Sequence, residues 1–564
     1  MKFNEVPYKR PNISLLQDEF NSDLGKFISA TSFKEQDELM LKINSLRSDF
    51  ESLQQIVYIR NTIDTTNKFY DEEQTFFDEN NPLYEELISK YYTALVNSKF
   101  KDQLMAKWGK QLFTIAELAL KTFSPEIIGD LQEENKLASQ YTKLIASAKI
   151  VFQGEERNLS GLTPFQQSPD REIRKAANLA KWGFFKDNET ELDTIYDSLV
   201  KVRTTIAKKL GYKSFVEVGY ARMLRSDYNP EMVANYRKQV EKYIVPIASS
   251  LRAKQKNRLG VETLNYYDES ITYKDGNAKP KGNSEWILNK AKKMFSELSP
   301  ETEEYFNFMV ENELLDLVTK KGKAGGGYCT YISKYHSPFI FSNFNGTSGD
   351  VDVLTHESGH AFQVYTSRDY KIPEYSFPTS ESAEIHSMSM EFLTWPWMNL
   401  FFEEQADKYK FAHLSAALLF VPYGVTVDEF QHFVYDNPEA TPKERKTAWR
   451  TIEKKYLPHR NYEDNEFLED GGYWQQQSHI YEVPFYYIDY TLAQICAFQF
   501  WKKANENRTK SWDDYKDLCK AGGSKSFLEL VKLANLQSPF EEESFKGIAS
   551  HIEQWLNNID DSKL

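Results

Sequence analysis

THESGHAF, residues 355–362, places two of the chain's nine histidines within five residues and puts a glutamate directly after the first. Residues 345–350 before it supply turn and capping residues. Apolar residues then recur at helical spacing, at Val351, Leu354, Ala361, Phe362 and Tyr365. This spacing predicts that THESGHAF lies on a helix. There His356 and His360 would be separated by about 40° around the axis and by one turn along it.

Two imidazoles one helical turn apart can bind the same metal ion, and a glutamate beside the first can act as a general base. In THESGHAF these residues are His356, His360 and Glu357. With 9 His and 83 acidic residues in 564, chance predicts about 0.02 matches to the pattern. A metal site is therefore favoured over the alternative of two histidines that serve only packing or surface hydrogen bonds.

Gly359 lies in the middle of the predicted helix. Glycine inside a helix costs about 1 kcal/mol relative to alanine, which indicates that another element packs closely there. The other interpretation is that the helix simply tolerates the glycine.

A zinc site with two histidines needs a further protein ligand. The metzincin class has a further Gly and His along the same stretch, but Gln363 and Thr366 stand in those places, so that class is excluded. The next helical stretch, residues 379–391, offers three glutamates on one face: Glu381, Glu384 and Glu391. Position alone does not separate Glu381 from Glu384. His386 is about 200° around the axis from Glu384 and is left out.

The composition is that of a globular protein. The 564 residues are 41% hydrophobic and 15% aromatic, mean hydropathy is −0.61, and we expect no apolar run long enough to span a membrane. A chain of this length exceeds the size at which one core keeps growing, so two lobes or more are expected. The formal net charge of −14 repels phosphate backbones. We therefore expect neither nucleic acid nor a membrane as a partner.

The cysteines and the N-terminal sequence indicate the compartment. The three cysteines are scattered, at Cys329, Cys496 and Cys519, which suits a reducing compartment and excludes a thiolate zinc site. The stretch MKFNEVPYKRPNIS has no apolar segment and no cleavage site typical of a secretory signal. We expect a cytoplasmic protein whose metal site uses His and carboxylate.

The chain before the motif is predominantly helical in pattern. From about residue 32 to residue 147, apolar residues recur three and four apart, which predicts amphipathic helices that pack together. Residues 149–154 form a β-prone run, and residues 159–164 have the composition of a loop. A new helix is predicted with Ser168 as N-cap and Pro169 at its first position. Helical patterns continue over 192–210 and 230–258, and residues 274–283 predict an exposed hairpin tip or loop.

Two short β-type runs precede the motif. GGGYCTYI, residues 325–332, and PFIFSNF, residues 338–344, predict a small sheet beside the helix. Beyond Glu381 the pattern is mostly helical as far as Leu556. The residues thus predict a mainly α protein with a small β-sheet beside the helix that carries the candidate site.

Three blocks carry a likeness to a known family: THESGHAF, EIHSMSME at residues 384–391, and HIYEVPFYYIDY at residues 479–490. They resemble the thimet oligopeptidase and oligoendopeptidase F family of zinc metallopeptidases, in its oligoendopeptidase F or Pz-peptidase-like branch. GGGYCTYI, PFIFSNFNGT and FQGEERNLSGL support the likeness, which extends from about residue 149 to residue 490. The resemblance implies a two-lobed zincin-type metallopeptidase with a deep substrate channel. We place an N-terminal α-helical lobe at residues 1–200 and a catalytic lobe at residues 201–564.

The resemblance also implies the metal ligands. It predicts one Zn²⁺ per chain, bound by His356, His360 and Glu384, with Glu357 as the general base. It thereby selects Glu384 over Glu381. Glu391 has two interpretations: it is either a hydrogen-bond partner of a ligand histidine or a solvent-facing charge on the helix.

The block at residues 479–490 supplies the implied hydrogen-bond donors to the substrate and the oxyanion: His479, Tyr490 and Tyr487, with Tyr490 ranked above Tyr487. Tyr481 and Tyr486 are expected to be structural, because most of the 34 tyrosines must be packing residues. The thimet branch has a glycine-rich loop where this chain has Glu-Val-Pro at residues 482–484.

The resemblance implies a zinc endopeptidase that hydrolyses internal bonds of short, unfolded peptides. It also implies that residues 325–332 form an edge strand beside the cleft, where a peptide would pair through its main chain and many sequences would be accepted. Two alternatives are a zinc exopeptidase of the same fold and a non-catalytic peptide-binding helical protein with structural zinc. The second is disfavoured because only three ligand candidates converge, whereas a structural site uses four. The sequence indicates no oligomeric state.

Overall fold

The computed structural model describes residues 1–561, 563 and 564, and residues 1–146 form a group of packed helices. Polar side chains cap several of them. The Asn12 side chain accepts a hydrogen bond from the Leu15 amide, and the Ser32 hydroxyl accepts one from Glu35. The helices are α1 (Ile13–Ser29), α2 (Phe33–Ile63), α3 (Lys68–Val96), α4 (Lys101–Trp108), α5 (Lys110–Ala119) and α6 (Ile128–Ala146). The predicted helical N-terminal region is confirmed.

The segment after α6 corrects two predictions. Strands β1 (Ile150–Phe152) and β2 (Glu155–Arg157) form an antiparallel hairpin, in line with the β-prone run. The loop predicted over 159–164 is wrong: α7 (Leu159–Gln166) forms because the Asn158 side chain accepts a hydrogen bond from the Gly161 amide at 2.8 Å. Helix α8 (Arg171–Asp187) begins two residues later than predicted, because the Asp170 carboxylate caps it instead of Ser168.

Helices continue up to the sheet. They are α9 (Glu189–Lys209), α10 (Phe215–Arg222), α11 (Pro230–Gln239), α12 (Val245–Leu259), α13 (Ser284–Leu298) and α14 (Pro300–Glu311). A π-helical turn, Val240–Ile244, joins α11 to α12 without a break. Residues 274–283 form a loop, not the tip of a hairpin.

A three-stranded sheet precedes the helix that carries THESGHAF. Strand β3 (Leu315–Val318) pairs parallel with β5 (Ser337–Phe344), and β4 (Tyr328–Ile332) pairs antiparallel with the other side of β5. The order β3-β5-β4 leaves β4 at an edge. Helix α2 lies against one face of β4, where Tyr328 and Thr62 hydroxyls are 2.6 Å apart. The predicted small sheet is confirmed, and β3 is an additional strand.

The remainder of the chain is helical, as predicted. It comprises α15 (Gly349–Ser367), α16 (Ser380–Leu393), α17 (Asn399–Phe402), α18 (Ala406–Asp436), α19 (Pro442–Tyr456), α20 (Glu466–Glu469), α21 (Ser478–Glu482), α22 (Tyr487–Glu506), α23 (Arg508–Ala521), α24 (Phe527–Leu533) and α25 (Glu542–Asn557). THESGHAF lies on α15. Helix α16 packs between α15 and α22, so three sequence blocks that are far apart in the chain meet there.

The hydrophobic core extends across most of the chain. Its largest cluster runs from Phe3 to Leu556 and includes buried residues on both sides of residue 200. A second cluster joins α1, α2, α3 and α5 to Ile372 and Tyr375. The division into lobes at residues 1–200 and 201–564 stays a prediction, whereas the mainly α fold with a small sheet is confirmed.

The stretch Asn399–Asp436, which contains α17 and α18, is long and apolar. Its best window has a mean hydropathy of 1.3, which meets the length and composition expected of a membrane span, and 67% of that window is buried inside the protein. The expectation that the chain has no such run is therefore wrong. Because core helices meet the same criteria, the burial itself accounts for the apolar composition.

Candidate active site

The predicted metal ligands converge from two helices. His356 and His360 lie one turn apart on α15, and Glu384 lies on α16. Oε2 of Glu384 is 3.2 Å from Nε2 of His356 and 3.3 Å from Nε2 of His360. One ligand atom from each of the three residues lies within 4.8 Å of the other two. Two donor atoms bound tetrahedrally to one zinc ion at about 2.1 Å are about 3.4 Å apart, so the donor set fits a single ion.

A backbone contact at Gly359 sets the distance between these helices. A Cβ atom at Gly359 would lie 2.5 Å from the carbonyl oxygen of His386 and 2.6 Å from Cα of Ser387. Only glycine leaves room for that approach. The close packing predicted from Gly359 is confirmed, and it brings Glu384 level with the two histidines.

A chain of side chains orients His356 from behind. Nδ1 of His356 lies 2.7 Å from Oε1 of Glu391, and Oε2 of Glu391 lies 2.7 Å from Nε2 of His413. The Trp395 indole donates to Nδ1 of His413 at 3.3 Å, so the proton of the neutral His413 ring is on Nε2, facing Glu391. His356 in turn donates from Nδ1 and keeps the lone pair of Nε2 for a metal. Of the two interpretations of Glu391, the structure agrees with the first: the carboxylate is a hydrogen-bond partner of His356.

Glu384 is a buried carboxylate with two hydroxyl partners. The Tyr486 hydroxyl donates to its Oε1 at 2.7 Å, and the Ser387 hydroxyl donates to its Oε2 at 2.8 Å. Burial alone would raise the pKa of Glu384, but the imidazoles of His360 and His356 outweigh burial and hold the pKa well below its ordinary value. The group is therefore ionised at neutral pH, as a metal ligand must be.

Glu381 lies away from the histidines, although it is also buried. Its nearest charges are Asp489 and Arg225, and burial together with Asp489 raises the pKa of Glu381 well above its ordinary value. His386 is fully buried, and its Nδ1 lies 2.8 Å from the Ser382 carbonyl oxygen. The structure thus separates Glu384 from Glu381, which position in the sequence alone did not.

Glu357 lies beside the ligand cluster with one oxygen free. The residue is 6% exposed, and its Oε2 has no hydrogen-bond partner in the described part of the chain. Burial raises the pKa of Glu357, although His356 and His360 oppose the shift. Its Oε1 is 3.4 Å from the position that a Cβ atom would take at Gly327, just before the edge strand β4. This carboxylate can accept a proton from a group held between α15 and β4.

A series of hydrogen bonds runs from Tyr423 to Tyr490, and each group in it donates to the next. The Tyr423 hydroxyl donates to Oε1 of Gln477 at 3.0 Å, and Nε2 of Gln477 lies 2.9 Å from Nδ1 of His479. The proton of the neutral His479 ring is then on Nε2, 3.1 Å from the Tyr490 hydroxyl oxygen. Burial lowers the pKa of His479 to about 4, so the ring is neutral at pH 7. Because the Tyr490 oxygen accepts this bond, its own proton is left for another acceptor.

Tyr487 joins the cluster through its ring. Its centroid lies 5.2 Å from that of His479 and 5.7 Å from that of Tyr423. Across the described residues its hydroxyl makes no hydrogen bond, which distinguishes it from Tyr490. Tyr481 is fully buried and stacks on Tyr141, which fits the structural role expected of it.

Two family models match the chain. That of the peptidase M3 N-terminal domain matches residues 3–123, and that of peptidase family M3 matches residues 165–550. The second match covers more than half of the chain and contains every candidate site residue.

The chain belongs to peptidase family M3. Oligopeptidase PepF of Bacillus subtilis (strain 168) is 22% identical over 600 residues, which cover 99% of this chain and 84% of PepF. The oligoendopeptidase F homolog of Borreliella burgdorferi is 24% identical over 431 residues, covering 72% and 70% of the two chains. The sequence-based family prediction is confirmed.

Solved structures agree with the family. PZ peptidase A, solved with an inhibitor, is 62% identical, and the superposition covers 100% of both chains with a TM-score of 0.99. Oligoendopeptidase F from Enterococcus faecium is 16% identical, covers 98% of this chain and 99% of its own, and has a TM-score of 0.64, which shows the shared fold. As an M3 peptidase, the chain is a metalloendopeptidase that cleaves oligopeptides. The exopeptidase and non-catalytic alternatives are thereby set aside.

Two cavities adjoin the site of this M3 peptidase. The smaller, of about 340 Å³, is lined by residues that include His356, Glu391, His479, Tyr487 and Tyr490. The larger, of about 510 Å³, shares four lining residues with it: Asp352, His413, Ala416 and Phe420. The shared residues place the two cavities side by side, next to the predicted metal ligands.

Three residues at the M3 site were not predicted from the sequence. Tyr486, expected to be structural, instead lies in the site, because its hydroxyl donates to Glu384. It precedes Tyr490 by four residues, a spacing that places both on one side of a helix and could have identified it. His413 and Gln477 act through contacts between distant parts of the chain, and no local pattern indicates them.

Proposed function

We propose that the chain is a zinc-dependent endopeptidase that hydrolyses internal bonds of short, unfolded peptides in the cytoplasm. The observation that carries the proposal is the spacing of three donor atoms: Oε2 of Glu384 lies 3.2 Å from Nε2 of His356 and 3.3 Å from Nε2 of His360. The buried Glu357 lies beside them. His356, His360 and Glu384 would hold one zinc ion. When bound, zinc supplies a Lewis acid that polarises a carbonyl group and makes water more acidic.

Glu357 is the proton acceptor in this proposal. Its unpartnered Oε2 takes a proton from the attacking water and passes it to the nitrogen of the leaving amine. The raised pKa supports the first transfer, because a carboxylate with a raised pKa is a stronger base toward the attacking water. The peptide bond breaks as that nitrogen becomes protonated.

Tyr490 and His479 stabilise the reacting carbonyl oxygen in this proposal. The Gln477–His479 contact directs a proton at the Tyr490 oxygen and leaves the Tyr490 proton for the substrate. Tyr486 is a further hydroxyl in the site, but its proton is already donated to Glu384. Tyr487 provides part of the cavity wall, since its hydroxyl has no partner that would aim it.

The sheet edge and the cavities support a preference for short, unfolded peptides. Strand β4 ends the sheet and lies next to Glu357, so an extended peptide can pair with it through main-chain groups. A folded protein cannot present an extended segment inside a space of this size. The cytoplasmic assignment is supported by the three cysteines, which are all free.

Metal analysis combined with product mapping tests the proposal. The purified protein is assayed for zinc by mass spectrometry and then incubated with end-blocked peptides of graded length. We expect one zinc per chain, cleavage at internal bonds, and rates that fall for the longest members. A Glu357→Gln variant should keep its zinc and lose about 10² to 10⁴ in kcat. Active protein without zinc, or undiminished turnover by the variant, would overturn the mechanism.

A further inference from the structure

Four basic side chains line the larger cavity: Lys181, Arg252, Arg258 and Arg460. The arginines are all paired with carboxylates. Arg252 and Arg460 contact Glu269 at 3.3 and 2.8 Å, and Arg258 contacts Asp561. Lys181 differs: in the part of the chain that the structure describes, no carboxylate oxygen lies within 4.0 Å of its Nζ.

The surroundings of Lys181 are neutral. Its ammonium donates to Oε1 of Gln476 at 2.7 Å and lies 5.0 Å from the centroid of the Trp182 ring. Burial lowers the pKa of Lys181 to about 8, and no carboxylate compensates for the lost hydration. A cation taken out of water without an opposite charge beside it is unfavourable, so a carboxylate from a bound ligand would be attracted to this position.

Lys181 is also within reach of the reacting groups. Its partner Gln476 directly precedes Gln477, which contacts His479. Three residues of chain span at most about 10 Å, so with the side chains included Nζ of Lys181 lies no more than about 20 Å from His479. An extended peptide rises about 3.3 Å per residue, and about six residues at most would bridge that distance.

We propose that Lys181 binds a carboxylate of the peptide substrate a few residues from the bond that is cut. The proposal rests on the proposed endopeptidase function and adds how the peptide is positioned. The carboxylate is either the C-terminal group or an acidic side chain, since both present the same two oxygens. Recognition of the C-terminal group would place the scissile bond at a limited distance from the peptide end. It would thereby favour short peptides over long chains.

Matched peptides distinguish these sources. One sequence of about eight residues is prepared as the free acid, as the C-terminal amide, and as amides with either Glu or Gln near the C-terminus. For the wild-type protein we expect kcat/KM to be about tenfold higher for a peptide with the recognised carboxylate, mainly through a lower KM. A preference for the free acid assigns the C-terminal group, and a preference for Glu over Gln assigns the side chain.

Three variants connect the preference to Lys181. Lys181→Met should abolish the tenfold ratio, and Lys181→Arg should restore most of it, because the charge and the approximate reach return. Lys186→Met removes an exposed lysine from the same helix and should leave the ratio unchanged. Equal ratios in the wild-type protein and in Lys181→Met, with both proteins hydrolysing the peptides normally, would refute the proposal.

Binding without turnover separates this proposal from the endopeptidase mechanism. Isothermal titration with Glu357→Gln, with and without Lys181→Met, measures the affinity for the free acid and for the amides. We expect the Kd of the preferred carboxylate peptide to rise about tenfold when Lys181 is replaced. An unchanged Kd would refute the proposal that Lys181 binds the carboxylate and would leave the endopeptidase mechanism standing. A protein that neither binds nor cleaves any of the peptides contradicts both proposals.

Discussion

Nδ1 of His356 lies 2.7 Å from Oε1 of Glu391, and the same carboxylate contacts His413 through its other oxygen. Both oxygens of Glu391 are therefore engaged, and the orientation of the His356 ring depends on a residue outside the set of three predicted metal ligands. Hydrogen-bond partners of ligand histidines commonly contribute about 10- to 100-fold to metal affinity.

Replacing Glu391 by Gln is expected to weaken zinc binding about 10- to 100-fold, because the amide is a poorer acceptor and its NH₂ group faces a donor. Competition with a chromophoric chelator measures the zinc Kd directly. Glu439→Gln alters an exposed glutamate and serves as the control. Equal zinc affinities in the two variants would show that the contact with His356 has no influence on the metal.

The tyrosines of α22 should differ sharply when their hydroxyls are removed. Tyr490→Phe is expected to lower kcat by about 10² to 10³, because its proton is the one left for the substrate. Tyr487→Phe should change kcat by less than about threefold, since no hydrogen bond of its hydroxyl is lost. Steady-state kinetics on one end-blocked peptide measures kcat for both variants and the wild-type protein. The reverse order would mean that Tyr487 is the donor.

Gly359→Ala is expected to destabilise the protein by about 1 to 3 kcal/mol and to weaken zinc binding, because the added methyl group meets the His386 carbonyl. Gly183→Ala is the matched control: it lies within α8, and an added Cβ there meets no atom within 4 Å. That control should be neutral or slightly stabilising. Thermal unfolding and zinc titration of both variants test the contact, and an equally stable Gly359→Ala protein would contradict it.

Acid should destabilise the protein partly through His459. Burial lowers the pKa of this residue to about 4, against about 6.5 in an unfolded chain. Between these values the unfolded chain binds more protons, so stability falls as the pH drops through that window. From pH 7.5 to pH 5 the loss is about 2 kcal/mol, or roughly 1 to 2 °C in Tm for a chain of this size.

The measurement is calorimetric Tm at both pH values for the wild-type protein and for His459→Gln. Effects of acid on the metal ligands are common to both proteins and cancel in the comparison. The variant should therefore lose less Tm on acidification than the wild-type protein. An identical loss would mean that His459 takes up no proton on unfolding in this range.

Elements stabilised by local contacts could be predicted from the sequence. Helix α15 has an apolar period and preceding turn residues, and both signals are local. Helix α7 was missed because Gly161 and Pro164 resemble loop residues, whereas a single side-chain cap at Asn158 is enough to begin the helix. Strand β3 is four residues long and is stabilised by pairing with β5, so no periodicity marks it.

The site residues also differ in whether local sequence or tertiary packing identifies them. His356, Glu357 and His360 follow from spacing within one helix, so the sequence alone identifies them. Glu384 needs a tertiary contact, the approach of α16 at Gly359, before it can be separated from Glu381. His413 belongs to α18 and Gln477 to the segment before α21, and only the packed structure brings them to their histidine partners.

The exposed side of β4 has a consequence for how this protein coexists with copies of itself. An unpaired strand can template aggregation, and many proteins guard such strands with proline or charged residues. Here α2 and α15 both pack against β4, so helices flank the strand that carries the unpaired backbone. We expect these helices to hinder edge-to-edge pairing with a second folded copy, as covering elements do at other sheet edges.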